Sequence, residues 1–314
     1  NGHAPHNMEK LLQELAWREY FQRVQQHRPD LHVSALRPRI QTEDERPGIP
    51  AALLHAQTGI EVLDLCVSAL ESTGYLHNHG RMYLASVACN IGRCHWLEPA
   101  RWMYFHLLDG DVASNFCSWQ WVAGTFSSKR YIANQENMNR YSGTEQRGTF
   151  LDLDYAALER SPIPATLGSC AHPELPCPIE PGPTPLLDPQ RPTLVYNGYN
   201  LDPDWHAGEA ANRILLLEPS HFNAFPVSEK VLAFIRAQAA LIPGIQEFRG
   251  EFHELKAACP GSAIHYKEHP LFHYAGQEEP RDWMFPDVHE FHPSFSAYWK
   301  RCMKAAGSFR KKRS

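Results

Sequence analysis

Three hydrophobic patterns follow one another along the chain. From about residue 7 to 160, apolar side chains recur at three- and four-residue intervals: Met8, Leu11, Leu12 and Leu15, then Ile60, Leu63, Val67 and Leu70. That spacing lays them along one side of a helix and predicts a mainly α-helical half. From Ser161 to Pro192 prolines crowd the sequence, at positions 162, 164, 173, 176, 178, 181, 183, 185, 189 and 192. Proline lacks an N–H and fixes φ, so this density predicts a linker without long helices or central strands. Beyond it, Thr193–Tyr196, Ile214–Leu217 and Ala263–Tyr266 are short apolar runs typical of buried parallel strands. Ser228 to Leu241 is amphipathic, with Val231, Phe234, Ile235 and Ala239 on one side, and Phe295, Tyr298, Trp299 and Met303 predict a closing helix. Strands alternating with helices imply a small α/β domain with a mostly parallel sheet. The expected organisation is a helical domain at 1–160, a linker at 161–192 and the α/β domain at 193–314.

Composition changes this picture little. The 314 residues are 43% hydrophobic and 21% charged, enough for two globular domains. No apolar run approaches a membrane span and no signal peptide opens the chain, so a cytoplasmic protein is expected, without a membrane partner and monomeric. The chain starts at Asn1 rather than Met, which suggests a fragment or a processed form. A formal net charge of −5 argues against indiscriminate nucleic-acid coating, yet Arg18, Arg81, Lys129, Arg130 and Arg140 could supply a local basic groove. The basic tail Arg310–Arg313 is an ordinary solvated end or a phosphate contact. The eight Cys are scattered, without CxxC spacing; only Cys170-Ala-His172…Cys177 clusters, a weak metal candidate. No GxGxxG or GxxxxGKS occurs, so the α/β half carries no recognisable nucleotide motif.

Three stretches carry candidate chemistry. In Glu14-Leu-Ala-Trp17-Arg18-Glu-Tyr-Phe21, the residues Glu14, Trp17, Arg18 and Phe21 share a second helical stripe beside the leucine face. A carboxylate, an indole and a guanidinium together suit an aromatic-walled polar cleft; the ordinary alternative is a salt-bridged surface helix. In Thr73-Gly-Tyr-Leu-His77-Asn78-His-Gly-Arg81-Met82, the residues Asn78, Arg81 and Met82 fall on one face, and a buried Arg81 would need a carboxylate. The ordinary alternative is a capped helix start. Asp109-Gly-Asp111-Val-Ala-Ser-Asn115-Phe-Cys-Ser-Trp119-Gln-Trp121 offers such a carboxylate and sets Asp111, Asn115 and Trp119 at i, i+4 spacing, although carboxylates there are also common caps.

Together and in this order, with Thr58-Gly-Ile…Asp64 between the first two, these stretches resemble the FAD-domain signature of the photolyase/cryptochrome family over residues 8 to 145. The half after the linker resembles a bacterial branch of that family with its α/β domain at the C-terminus. The resemblance implies a helical pocket holding FAD beside UV-damaged DNA whose pyrimidine dimer is flipped out of the duplex. It implies that Arg81 and Asp109 pair at the polar edge of the isoalloxazine with Asp111 nearby, that Asn115 faces flavin N5, and that Asn78 lies between flavin and lesion. It further implies that Glu14 bonds the dimer's base edges, that Trp17, Trp121 and Met82 pack against the dimer, and that Arg18 lies on the same DNA side. Trp119 and Trp96 would relay electrons to the flavin. The implied activity is a deoxyribodipyrimidine photolyase reaction: excited reduced FAD donates an electron to a cyclobutane dimer, the ring splits, and the electron returns. The alternatives are a cryptochrome-like blue-light receptor without repair, repair of the (6-4) photoproduct with His77 and His79 as the nearby histidines, and a helical scaffold that binds no flavin.

Three departures from the family pattern stand out. The Ser/Thr-rich loop that grips the FAD phosphates lies upstream of Glu14 in the family, where this chain has almost nothing, so a missing N-terminal portion or a weakened grip is expected. No Trp or Tyr lies between Gln22 and Gln57, where a third relay Trp would fall; Trp102 or Tyr104 could substitute. Tyr131-Ile-Ala-Asn-Gln-Glu-Asn137 replaces an arginine-containing run.

Overall fold

The computed structural model describes residues 5–39, 45–177 and 179–312, with side chains described between residues 9 and 307 of these. The side chains of Met8 and of the basic tail at 310–313 therefore lie outside the described residues. The order begins with α1 (Pro5–His27), β1 (Ile49–Pro50), α2 (Ala51–Leu54), α3 (Glu61–Thr73), α4 (Asn78–Ser86), α5 (Leu97–His106), α6 (Val112–Ala123), α7 (Gln135–Ser142) and α8 (Tyr155–Arg160). It continues through β2 (Cys170–Ala171), β3 (Thr193–Tyr196), β4 (Asn212–Leu217), α9 (Pro219–Ala224), α10 (Glu229–Ala239), β5 (Ile245–Arg249), α11 (Phe252–Ala258), β6 (Ile264–Lys267), β7 (Gln277–Glu279) and α12 (Phe295–Lys312). The chain is thus a helical half followed by an α/β half with a parallel five-stranded sheet.

Helix α6 is the centre of the first half because most of its circumference is buried, with only Ser118 and Trp121 exposed. Val112, Ala113, Phe116, Cys117, Trp119, Val122 and Ala123 are all buried, and so wide an apolar surface must be covered by neighbouring helices. It packs against α1, α4 and α5. Asp111 starts it by accepting the Ser114 N–H at 2.8 Å, and Gly124 ends it at φ 79°.

Gly74 sets the geometry around α6. It ends α3 at φ 72°, and a Cβ there would lie 2.7 Å from Leu108 Cγ and 3.0 Å from the His106 carbonyl oxygen. Only glycine allows the turn at 107–111 to approach so closely, and the Leu108 N–H donates to the Gly74 carbonyl at 2.9 Å.

Helix α1 departs from its leucine pattern. Leu11, Leu12 and Leu15 are exposed, whereas Ala16, Tyr20, Phe21 and Val24 are buried. The winning face is chosen by a distant partner. Aromatic rings of α12 pack against it, and buried Glu19 accepts hydrogen bonds from Met284 N at 2.6 Å, Phe285 N at 3.1 Å and the Tyr298 hydroxyl at 2.6 Å.

The sheet order is β5-β4-β3-β6-β7, with every pair parallel. β4 is buried throughout: Leu215 and Leu217 join the core shared with the helical half, while Ile214 and Leu216 face a second core with Leu255 of α11. Three predicted strands and the helix of Ser228–Leu241 appear, although Phe234 of that helix is 39% exposed rather than packed. β5 and β7 are additions to the sequence reading. The halves are joined by the Tyr104 and Tyr199 hydroxyls, 2.8 Å apart, and by Lys230 Nζ, which donates to the Glu71 and Ser72 carbonyls.

Candidate flavin site

A cleft of about 160 Å³ opens between α4, the end of α5 and α6. Its walls carry Asn78, Arg81, Met82, Asp109, Asp111, Asn115 and Trp119, and its apolar floor includes Met103, Leu107 and Val122. The turn pinned by Gly74 delivers Asp109 to the start of α4. Arg81 Nε donates to the Leu76 carbonyl at 2.7 Å, and its Nη2 donates to both Asp109 carboxylate oxygens at 2.9 Å. The pair expected from the sequence exists, but it is not buried: the side chains are 25% and 55% exposed. It rims the cleft and does not lie beneath it.

Asp111 is buried and its two oxygens are committed. One caps α6 and the other accepts from Gln22 Nε2 at 2.8 Å, a contact the sequence did not suggest. Asn115, also buried, donates through Nδ2 to the Ala100 carbonyl at 2.9 Å, which fixes the amide and turns Oδ1 into the free acceptor. The buried Ser114 Oγ lines the same cleft without a hydrogen-bond partner. A planar group with an apolar face and polar edges fits this donor and acceptor set, because an uncompensated buried hydroxyl is costly. The isoalloxazine of FAD has that character.

The other expected site residues lie elsewhere. Glu14 and Arg18 are exposed on α1, and Arg18 turns towards the α/β half. Trp17 stacks on Phe295 of α12, with ring centroids 3.9 Å apart and planes 12° from parallel. The stripe Glu14-Trp17-Arg18-Phe21 thus divides between solvent, an aromatic cluster and a second crevice. Trp121 is 37% exposed and outside the cleft lining. Trp119 is on the cleft wall, and Trp96 is buried with its Nε1 unbonded. From Trp96 a ring contact leads to Phe116 at 6.4 Å and on to Tyr104 at 6.3 Å, whereas Trp102 touches His106.

Arg140 pairs with Glu136, Arg81 with Asp109, and Arg130 lines a separate cavity with Arg39 and Glu159. His77 caps α4 by accepting the His79 N–H and stacks on the His79 ring. Cys170, His172 and Cys177 part company: Cys170 Sγ lies 3.6 Å from Cys94 Sγ, His172 bonds Glu98 at 2.7 Å, and Cys177 is buried. No described helix is long and apolar enough to cross a membrane.

Residues 11–152 match the family model described as the FAD binding domain of DNA photolyase. A deoxyribodipyrimidine photo-lyase of Streptomyces griseus is 37% identical over 126 residues, which is 39% of this chain and 27% of that protein. The protein of the same name from Synechococcus is 35% identical over 115 residues, covering 36% and 24%, and that of Escherichia coli is 34% identical over 118, covering 36% and 25%. The chain therefore spans about a quarter of the length of the relatives it matches. The matched stretch holds every residue of the cleft between α4 and α6. Over that stretch the chain carries the FAD binding domain of DNA photolyase, similar to that of the deoxyribodipyrimidine photo-lyases named above.

Proposed function

We propose that this chain binds FAD in the cleft between α4 and α6 and uses it for light-driven splitting of cyclobutane pyrimidine dimers in UV-damaged DNA. The observation that carries the reading is the gathering of Asn78, Arg81, Asp109, Asn115 and Trp119 around one cleft that contains an unbonded Ser114 hydroxyl. A reduced flavin bound there supplies one electron on excitation and takes it back after the dimer opens. The protein's residues do the rest. Arg81, aligned by Leu76 and Asp109, offers positive charge at the rim. Asn115, its amide fixed by Ala100, presents Oδ1 to an N–H at the cleft wall. Met82 in the cleft and the exposed ring of Trp121 give apolar surface for extruded bases, and Glu14 an acceptor for their edges. Trp119 and Trp96 would pass electrons inward.

One observation favours a second reading. The face that Trp17 would offer a flipped base is stacked on Phe295, which suits a blue-light receptor without repair. Chemically reduced, FAD-loaded protein is to be mixed with an oligonucleotide carrying one thymine dimer. Loss of the dimer under blue light, and not in the dark, supports repair. Full FAD loading with no dimer loss would leave the receptor reading in its place.

A further inference from the structure

The strand order β5-β4-β3-β6-β7 reverses direction between β3 and β6. In open parallel sheets, the crevice beyond the carboxyl ends of the strands at such a point is the usual ligand position. Here it is a cavity of about 190 Å³, lined by Asn200 after β3, His269 after β6, Arg281, and Arg18 reaching over from α1.

Three N–H donors in this cavity are buried and unbonded: Arg281 Nη1, His269 Nε2 and Asn200 Nδ2. The assignment of His269 follows from its other nitrogen. Nδ1 accepts the Leu271 N–H at 3.3 Å, so in the neutral ring the proton sits on Nε2. Neither guanidinium has a carboxylate within ion-pair distance among the described residues. Lys267 and three acids line the same cavity: Asp202 accepts the Asp204 N–H through one oxygen, Glu268 accepts from Gln26 and Trp283, and the exposed Asp282 lies 3.6 Å from Lys267. Burial, and after it the charge of Arg18, lowers the Arg281 pKa, the signature of two cations facing one space. Acceptors line the cavity too, but three buried N–H donors without partners converge on it, and an anion with several oxygens can satisfy them together.

We propose that the crevice between the carboxyl ends of β3 and β6 binds a phosphate group through Arg18, Arg281, His269 and Asn200. Two sources share this chemistry. One is the pyrophosphate of a dinucleotide whose flavin ring lies in the neighbouring cleft; this arm rests on the function proposed above. Asp111, on the wall of that cleft, adds its negative charge to the surroundings of both Arg281 and His269. The other source is a separate nucleotide.

Inorganic pyrophosphate titrated calorimetrically into the full chain at low salt tests this. Saturable binding is expected, weakened about tenfold or more by Arg281→Gln and by Asn200→Ala, the weight of one charge-assisted hydrogen bond. Asn200→Ala removes no charge and serves as the control if Arg281→Gln fails to fold. Competition between pyrophosphate and FAD would assign the crevice to the flavin's own phosphates. Equal binding to FAD-loaded protein would assign it to a separate nucleotide. Pyrophosphate binding without FAD uptake would uphold the crevice and defeat the proposed function. No saturable binding, or affinity unchanged in both variants, would overturn the proposal.

Discussion

Replacing Asp109 with alanine separates the roles of the Arg81–Asp109 pair in folding and in cofactor binding. A fully buried ion pair broken on one side costs about 3–5 kcal/mol, because it leaves an uncompensated charge out of water. This pair differs. A single nitrogen, Arg81 Nη2, spans both carboxylate oxygens, and Asp109 is 55% exposed. Solvent screens such a pair, so its loss costs about 0.2–1 kcal/mol. Arg81 also keeps its bond to the Leu76 carbonyl. Urea unfolding of flavin-free Asp109→Ala should therefore move by less than about 1 kcal/mol. With a flavin edge laid over the rim, Arg81 loses water and its counter-charge matters more. FAD affinity should then fall by roughly 10–100-fold, the equivalent of a charge-assisted hydrogen bond. Destabilisation of the flavin-free protein by more than about 3 kcal/mol, with FAD affinity unchanged, would refute this division.

Three further outcomes are expected. Trp17→Ala, which unstacks Phe295, should cost about 2 kcal/mol or more in thermal unfolding, whatever it does to DNA binding, and Phe295→Ala should cost a comparable amount. In FAD-loaded protein Trp119→Phe should abolish photoreduction of oxidised flavin while pre-reduced protein still repairs. Tyr104→Phe should slow photoreduction more than Trp102→Phe, since Tyr104 is the one linked through Phe116 to Trp96. Burial holds His221 and His269 down to about 4 and about 3. A depressed histidine confers stability that is complete above its ordinary value near 6.5 and lost as the pH falls through the folded value. Each should cost on the order of 2 kcal/mol by pH 5, visible as a falling denaturation midpoint in acid; a flat midpoint between pH 7 and 5 would contradict it.

The sequence made some of this legible and hid the rest for physical reasons. Helix α6 and its cap were readable because an apolar surround and an Asp start are local properties. β3 and β4 were readable because strands buried on both faces are apolar runs, and β6 because Ile264 and Tyr266 alternate into the core. β5, Ile245–Arg249, was missed because its half-exposed face is charged, and β7, Gln277–Glu279, because an edge strand needs no apolar residue. On α1 the pattern offered two apolar faces, and the choice fell to Phe295 and Tyr298, more than 270 positions away, which no local spacing reveals. Separation in sequence likewise hides Gln22 on Asp111, 89 positions apart, and the crevice proposed for phosphate, whose donors run from Arg18 to Arg281. Asp109 and Arg81 were paired correctly, yet their exposure depends on how the turn at 107–111 is held.

On the proposed reading the isoalloxazine lies in the cleft between α4 and α6. Titration of the folded chain with FAD, followed by flavin fluorescence, tests it most directly when wild type is compared with Asn115→Leu. Saturable one-to-one quenching is expected in wild type and, for a variant that keeps its helical fold but loses the fixed amide, a loss of affinity of about tenfold or more. Equal affinity in the two proteins, or no uptake by folded wild type, would contradict it.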